Sequence, residues 1–125
     1  MKIKICGITE IETFNFLIEN GVDYVGFIFH ENSPRNVTHA FINEIKNTDF
    51  QKTRPVCVFV NPEKSFVNSS LSYFENPIIQ FHGDESEDFC KLFDCEFWKA
   101  LRIKDSKSLE DMKHFKNAEA ILCDT

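Results

Sequence analysis

Apolar residues along this chain fall into two alternating rhythms. Residues 2–6 alternate and end at Gly7, and short apolar-rich runs follow at 24–29, 55–60, 77–82, 97–103 and 120–123. Runs of that length rich in Val, Ile and Phe predict strands. Between them the apolar positions switch to helical spacing: Ile11, Phe14, Leu17 and Ile18; Phe41, Ile42 and Ile45; Phe66, Val67 and Leu71; Phe89, Leu92 and Phe93; Leu109, Met112 and Phe115. Cap signals stand ahead of most of these helices. They are Thr9 with Glu12, Asn61-Pro62, Asp84 with Glu87, and Ser108 with Asp111. Asn20-Gly21 closes the first helix.

The pattern is strand–helix five times over and then one more strand. Its strands are too continuously apolar for a sheet with one wet face, so helices must cover it. Alternation of this kind builds a parallel sheet with right-handed crossovers. An open doubly wound sheet and a β/α barrel both satisfy it. In either one the chemistry gathers where the strands end. The residues at those ends are Cys6, the His30–Arg35 stretch, Asn61, Gln80, His82, Arg102 and Asp124. All of these ends are polar or ionisable, although the strands behind them are apolar.

Charge and cysteine content narrow the class. The net charge of -6 lacks the basic stripe that nucleic acid requires and disfavours a membrane surface. No apolar run approaches a membrane span, and the N-terminus has no signal-peptide core. Five cysteines, an odd number without a framework, read as reduced thiols in a cytoplasmic protein. Cys90 and Cys95 are spaced too widely for a zinc pair, and no second pair follows. They read as packing residues, and Cys57 and Cys123 as strand core. No P-loop or GxGxxG motif is present.

Taken from the residues alone, Cys6 is either a small buried hydrophobe or a base, and Asp124 either a helix cap or an acid. Arg35 is either solvated or a ligand for an anion. His82 is either a pocket residue or a structural hydrogen-bonder, and Asn61 reads as a cap.

Five motifs in order, Lys4-Ile5-Cys6-Gly7-Ile8-Thr9, Gly26-Phe27-Ile28-Phe29 with Ser33-Pro34-Arg35, Val58-Phe59-Val60-Asn61, Gln80-Phe81-His82-Gly83 with Glu85, and Leu122-Cys123-Asp124-Thr125, resemble the phosphoribosylanthranilate isomerase family of tryptophan biosynthesis. The resemblance covers the whole chain. Cys57 and Phe81 are mild departures from it. It implies a (β/α)8 TIM barrel, of which residues 1–125 form a single incomplete unit, (βα)5β6. It also implies an Amadori rearrangement of an aminoaldose to an aminoketose. Cys6 is then the general base and Asp124 the general acid. Arg35, Gln80 and His82 bind the phosphosugar–anthranilate substrate. No metal or redox cofactor is needed, because the iminium intermediate is the electron sink.

A barrel of this type takes roughly 200 residues or more. The resemblance therefore also predicts that strands seven and eight, with the phosphate-holding loops, lie outside this sequence. Strands one and six are then expected to be open edges, which invite association with a second copy or another chain. That expectation supports a second reading, a non-catalytic partial barrel acting as an interaction module.

Overall fold

A computed structural model describes residues 1–124. Thr125, the last residue of the fifth motif, lies outside the described residues. Six strands form one sheet in the order β1-β2-β3-β4-β5-β6, and every adjacent pair is parallel. The strands are β1 (Lys4–Cys6), β2 (Tyr24–Phe29), β3 (Arg54–Phe59), β4 (Ile78–Phe81), β5 (Phe97–Arg102) and β6 (Ala120–Asp124). Helices α1 (Ile11–Glu19), α2 (His39–Ile45), α3 (Lys64–Leu71) and α4 (Glu87–Cys90) follow the first four. A doubly wound sheet reverses its strand order partway along. This order never reverses, which selects the barrel-type winding.

The pleat separates two cores. Val25, Phe27, Phe29, Cys57, Phe59, Ile79, Phe81 and Phe97 point outward and meet Phe14, Leu17, Phe41, Ile42, Ile45, Val67 and Phe93 from the helical layer. Much of this layer is aromatic, with Phe27 stacked on Phe74 and Phe29 on Phe59. Ile28, Val56, Val58 and Ile78 point the other way and form a smaller inner cluster with Cys6, Tyr24 and Trp98.

The inner face is curled. Tyr24 and Trp98 stand three strands apart, yet their rings meet edge-on at 4.9 Å. In a flat sheet three strand intervals would separate them by about 14 Å. Lys4 of β1 likewise hydrogen-bonds Gln80 of β4 across the hollow.

Several sequence expectations are corrected. No Thr9–Glu12 capping box forms, because the residue capping α1 is Glu10, which makes no side-chain cap bond. Glu63, not Asn61, precedes α3, and Ser86, not Asp84, caps α4 by accepting from the Phe89 amide. The segment between β5 and β6 is a 3-10 helix, Ser108–His114, so the fifth α-helix is absent among the described residues. Its expected apolar side is open to solvent, with Leu109 and Met112 exposed, and Leu92 and Phe66 are exposed as well. Cys123 is exposed rather than strand core, because on the edge strand its outward side finds little cover. Thr38 caps α2, accepting from the Phe41 amide, a cap not singled out in the sequence. Among the described residues no helix is long and apolar enough to cross a membrane.

Candidate active site

Parallel strands direct all their C-terminal ends to one rim. Cys6 ends β1 and Asp124 ends β6 there. Register places both on the inner face. Cys6 pairs with Gly26, in phase with inward Tyr24 and Ile28, and Asp124 pairs with Arg102, in phase with inward Trp98. Gly26 has to be glycine for a steric reason: an added Cβ would sit 2.7 Å from the Cys6 sulfur. At Gly7 the chain turns with φ +81, and its amide donates to the Gly26 carbonyl at 2.9 Å.

The β2 loop folds back along its own strand. Asn36 bridges Ile28, its side-chain oxygen accepts from the His30 amide, and the Val37 amide donates to the Ile28 carbonyl. This return delivers Arg35 to β1, where its Nη1 donates to the Cys6 carbonyl at 3.2 Å. Arg35 is exposed and has no part in the four ion pairs formed among the described residues. Most of its planar donor fork therefore faces solvent over the site.

A line of polar side chains crosses the hollow. Lys4, two residues before Cys6 on the same face of β1, donates to Gln80 Oε1. Gln80 Nε2 lies 3.2 Å from His82 Nδ1, and His82 Nε2 lies 3.3 Å from Asp124 Oδ2. Burial pulls the Lys4 ammonium below its usual range, and the charge and hydrogen bond of the Cys6 thiol partly restore it. The Trp98 ring, 5.9 Å from Lys4 Nζ, also holds the cation. Asn61, His82, Arg102 and Asp124 line one cleft. Cys6 and Arg35 lie outside that cleft, on the β1–β2 side of the same rim. The structure thus links His82 directly to Asp124 and Arg35 directly to Cys6. The line through Lys4 and Gln80 joins the two groups.

Asn61 has a different task from the expected cap. Its backbone sits at φ +46, its amide donates to Glu85 Oε2 at 2.8 Å, and its side-chain oxygen accepts from the Asp84 amide. It ties the β3 loop to the β4 loop. Glu85 also accepts from the Gly83 amide and from Lys99, whose Nζ is 2.7 Å away, with both side chains 2% exposed. This buried pair fixes the turn that carries His82.

Lys4 and Lys99 were both missed as site residues in the sequence. Period-two spacing does place Lys4 beside Cys6, but its reach to Gln80 depends on the curl of the sheet. Three of the other thiols cannot supply a base. Burial pushes Cys57 and Cys95 up, and it pushes Cys90 up to about 12, so all three stay protonated at neutral pH. Among the described residues no group of three His, Cys, Asp or Glu side chains is arranged to hold a metal ion.

Comparison with known proteins gives the family and the fold. The family model for N-(5'-phosphoribosyl)anthranilate (PRA) isomerase matches residues 3–125. The N-(5'-phosphoribosyl)anthranilate isomerase of Geotalea uraniireducens (strain Rf4) is 38% identical over 121 residues, covering 97% of this chain and 60% of that protein. The same enzyme of Legionella pneumophila (strain Paris) is 38% identical over 126 residues, covering 100% of this chain and 61% of that protein. The chain therefore spans about three fifths of the length of these relatives. Among solved structures, phosphoribosyl anthranilate isomerase from Thermotoga maritima superposes with a TM-score of 0.89 at 28% identity, over 100% of this chain and 62% of that one. A second such isomerase, crystallised with reduced 1-(o-carboxyphenylamino)-1-deoxyribulose 5-phosphate, gives 0.90 at 30% identity, over 100% and 65%. The chain belongs to the N-(5'-phosphoribosyl)anthranilate isomerase family.

Proposed function

We propose that this chain carries the acid–base pair of a phosphoribosylanthranilate isomerase. The reaction is the Amadori rearrangement of N-(5'-phosphoribosyl)anthranilate to 1-(2-carboxyphenylamino)-1-deoxyribulose 5-phosphate in tryptophan biosynthesis. The observation that carries the reading is the placement of Cys6 and Asp124 at the ends of β1 and β6, on the inner side of one rim. The complex of the second structural neighbour supports it, since that ligand is named as a reduced form of this product.

Asp124 gives its proton to the ribose ring oxygen. The C1–O bond breaks, and the nitrogen lone pair forms the C1=N iminium. Cys6, as thiolate, takes the proton from C2, and the electrons of that C–H bond form C1=C2 while the nitrogen regains its lone pair. The enolamine then ketonises, with C1 gaining a proton and the C2 hydroxyl losing one. The atoms balance without an oxidant. Lys4 stands beside Cys6 and shares a hydrogen bond with it.

Arg35 presents its fork to the anthranilate carboxylate and, through the Cys6 carbonyl, keeps that end of the substrate in register with the base. Gln80 and His82 line the pocket beside the ribose. The five unpaired cysteines support a cytoplasmic setting, where thiols stay reduced.

The test is the loss of phosphoribosylanthranilate fluorescence, followed with this chain and with any longer form of it. Cys6→Ala and Asp124→Asn are each expected to cut kcat by about 10²–10⁴-fold, the usual share of a general acid or base. Arg35→Ala raises KM. Full turnover in Cys6→Ala would overturn the assignment of the base.

A further inference from the structure

We propose that Gln80, anchored by Lys4, is a positioning residue that locks the His82 ring as its Nε2–H tautomer, so that His82 donates to Asp124. The inference rests on the reading of Asp124 as proton donor, and it adds a residue pair to that reaction.

The direction of the hydrogen bonds follows from the chemistry of one end. A lysine ammonium has three donors and no acceptor. The Gln80 atom that meets Lys4 must therefore be the oxygen, Oε1. That choice turns the amide nitrogen toward His82 Nδ1, 3.2 Å away. An amide NH2 only donates, so Nδ1 accepts and carries no proton. The ring proton then resides on Nε2, which faces Asp124 Oδ2 at 3.3 Å. Every link points the same way, from β1 through β4 to β6. Rotating the Gln80 amide by half a turn would set NH2 against the ammonium, donor against donor. Gln80 is 3% exposed, so water does not offer it alternative partners.

The tautomer matters for the acid. A neutral ring donating from Nε2 orients the carboxyl without demanding that it be ionised. An imidazolium in the same place would hold Asp124 as a carboxylate and strip it of the proton that it must deliver. The charged groups that share the cleft with His82 are Asp84, Arg102, Lys104, Asp111 and Asp124. Of these, Asp124 meets the ring directly, at Nε2, and as an acceptor it favours a proton there. The Gln80 amide meets Nδ1 and, as a donor, excludes a proton from that side.

The experiment is 15N NMR of the histidine side chains of the whole chain at neutral pH, without substrate, with His82 assigned through His82→Gln. The parent should show a neutral ring protonated at Nε2. Gln80→Glu places a carboxylate against Nδ1 and should give a ring protonated at both nitrogens. Lys4→Met removes the anchor and should give a mixture of tautomers. It serves as the second route should Gln80→Glu fail to fold. A parent ring protonated at Nδ1, or a ring unchanged in Gln80→Glu and Lys4→Met, overturns the proposal. Because no substrate is present, the tautomer stands or falls apart from the assignment of the reaction. Where turnover is measurable, kcat of Gln80→Glu should fall about tenfold or more, with KM little changed.

Discussion

Two lysines leave this sheet on opposite faces, and each has a cysteine for a neighbour. Lys99 points outward from β5. It is 2% exposed, donates to Glu85 and to the Gly83 carbonyl, and influences the Cys90 thiol through its charge. Lys4 points inward from β1, only partly buried, with a neutral amide as its hydrogen-bond acceptor and Cys6 beside it. The outer cation is fully spent on a carboxylate, and its thiol is sealed in the aromatic layer. The inner cation keeps charge to spare, and its thiol faces open space. A lysine near a cysteine is thus not by itself a reactive site. The counter-charge and the access decide.

The largest effect expected from this contrast is structural and lies on the outer side. Lys99→Met leaves Glu85 ionised, buried and without its cation, and breaking a buried pair from one side costs about 3–5 kcal/mol. Urea denaturation should show that loss. An unchanged midpoint would mean that the Asn61 and Gly83 amides alone satisfy Glu85. Next in size is Gly26→Ala. Its Cβ would press on the Cys6 sulfur at 2.7 Å and the Cys6 Cα at 3.1 Å. Overpacking of this kind costs about 1–3 kcal/mol, and here it should also displace the base. Turnover lost with stability retained would place Gly26 in the site rather than in the core.

Smaller still in stability is Lys4→Met, about 1 kcal/mol or less, since a single hydrogen bond from a partly buried cation is exchanged for packing. Its mark should be on reactivity. Alkylation of Cys6 by iodoacetamide should slow in Lys4→Met, while that of exposed Cys123, on the opposite edge strand, should not. Equal slowing of both would remove the special pairing of Lys4 with Cys6.

How much of this was legible in the sequence follows from where each signal resides. Strands β2 and β3 carry theirs in uninterrupted apolar runs, which no other element explains. The rim residues follow from strand direction alone, so Cys6, His82 and Asp124 could be placed before any coordinates. The helix caps were less legible. Asn61 and Asp84 read as the caps of α3 and α4, but the two are drawn into a tertiary bond with each other. Asn61 is occupied by the Asp84 amide, and Ser86 is left to cap α4. The stretch 108–114 carries an apolar spacing but too little length or cover to hold α-helical geometry. The linkage of Lys4 to Gln80 was beyond sequence reasoning, because 76 positions separate them and only curvature brings them together.

The smallest effect at neutral pH belongs to Cys90, and it grows only in alkali. Its thiol is pushed from the ordinary 9.0 up to about 12, first by burial, with the Lys99 charge opposing. A raised acid holds its proton longer in the folded chain than in the unfolded one. Its contribution to stability is therefore complete below pH 9.0 and is lost as pH rises from there through about 12. Cys57, raised for the same first reason, adds to the slope. Denaturation midpoints measured across this window should fall with pH, and Cys90→Ala should flatten the fall while lowering the plateau by a cavity cost of about 1 kcal/mol. Lys99→Met removes the ammonium that eases Cys90 toward thiolate, so the alkaline fall should keep its onset near 9.0 but run deeper and further into alkali. Lys4→Met should leave it in place. If the two lysines shift that limb equally, the separation of the sheet's faces into a sealed thiol and an accessible one does not hold.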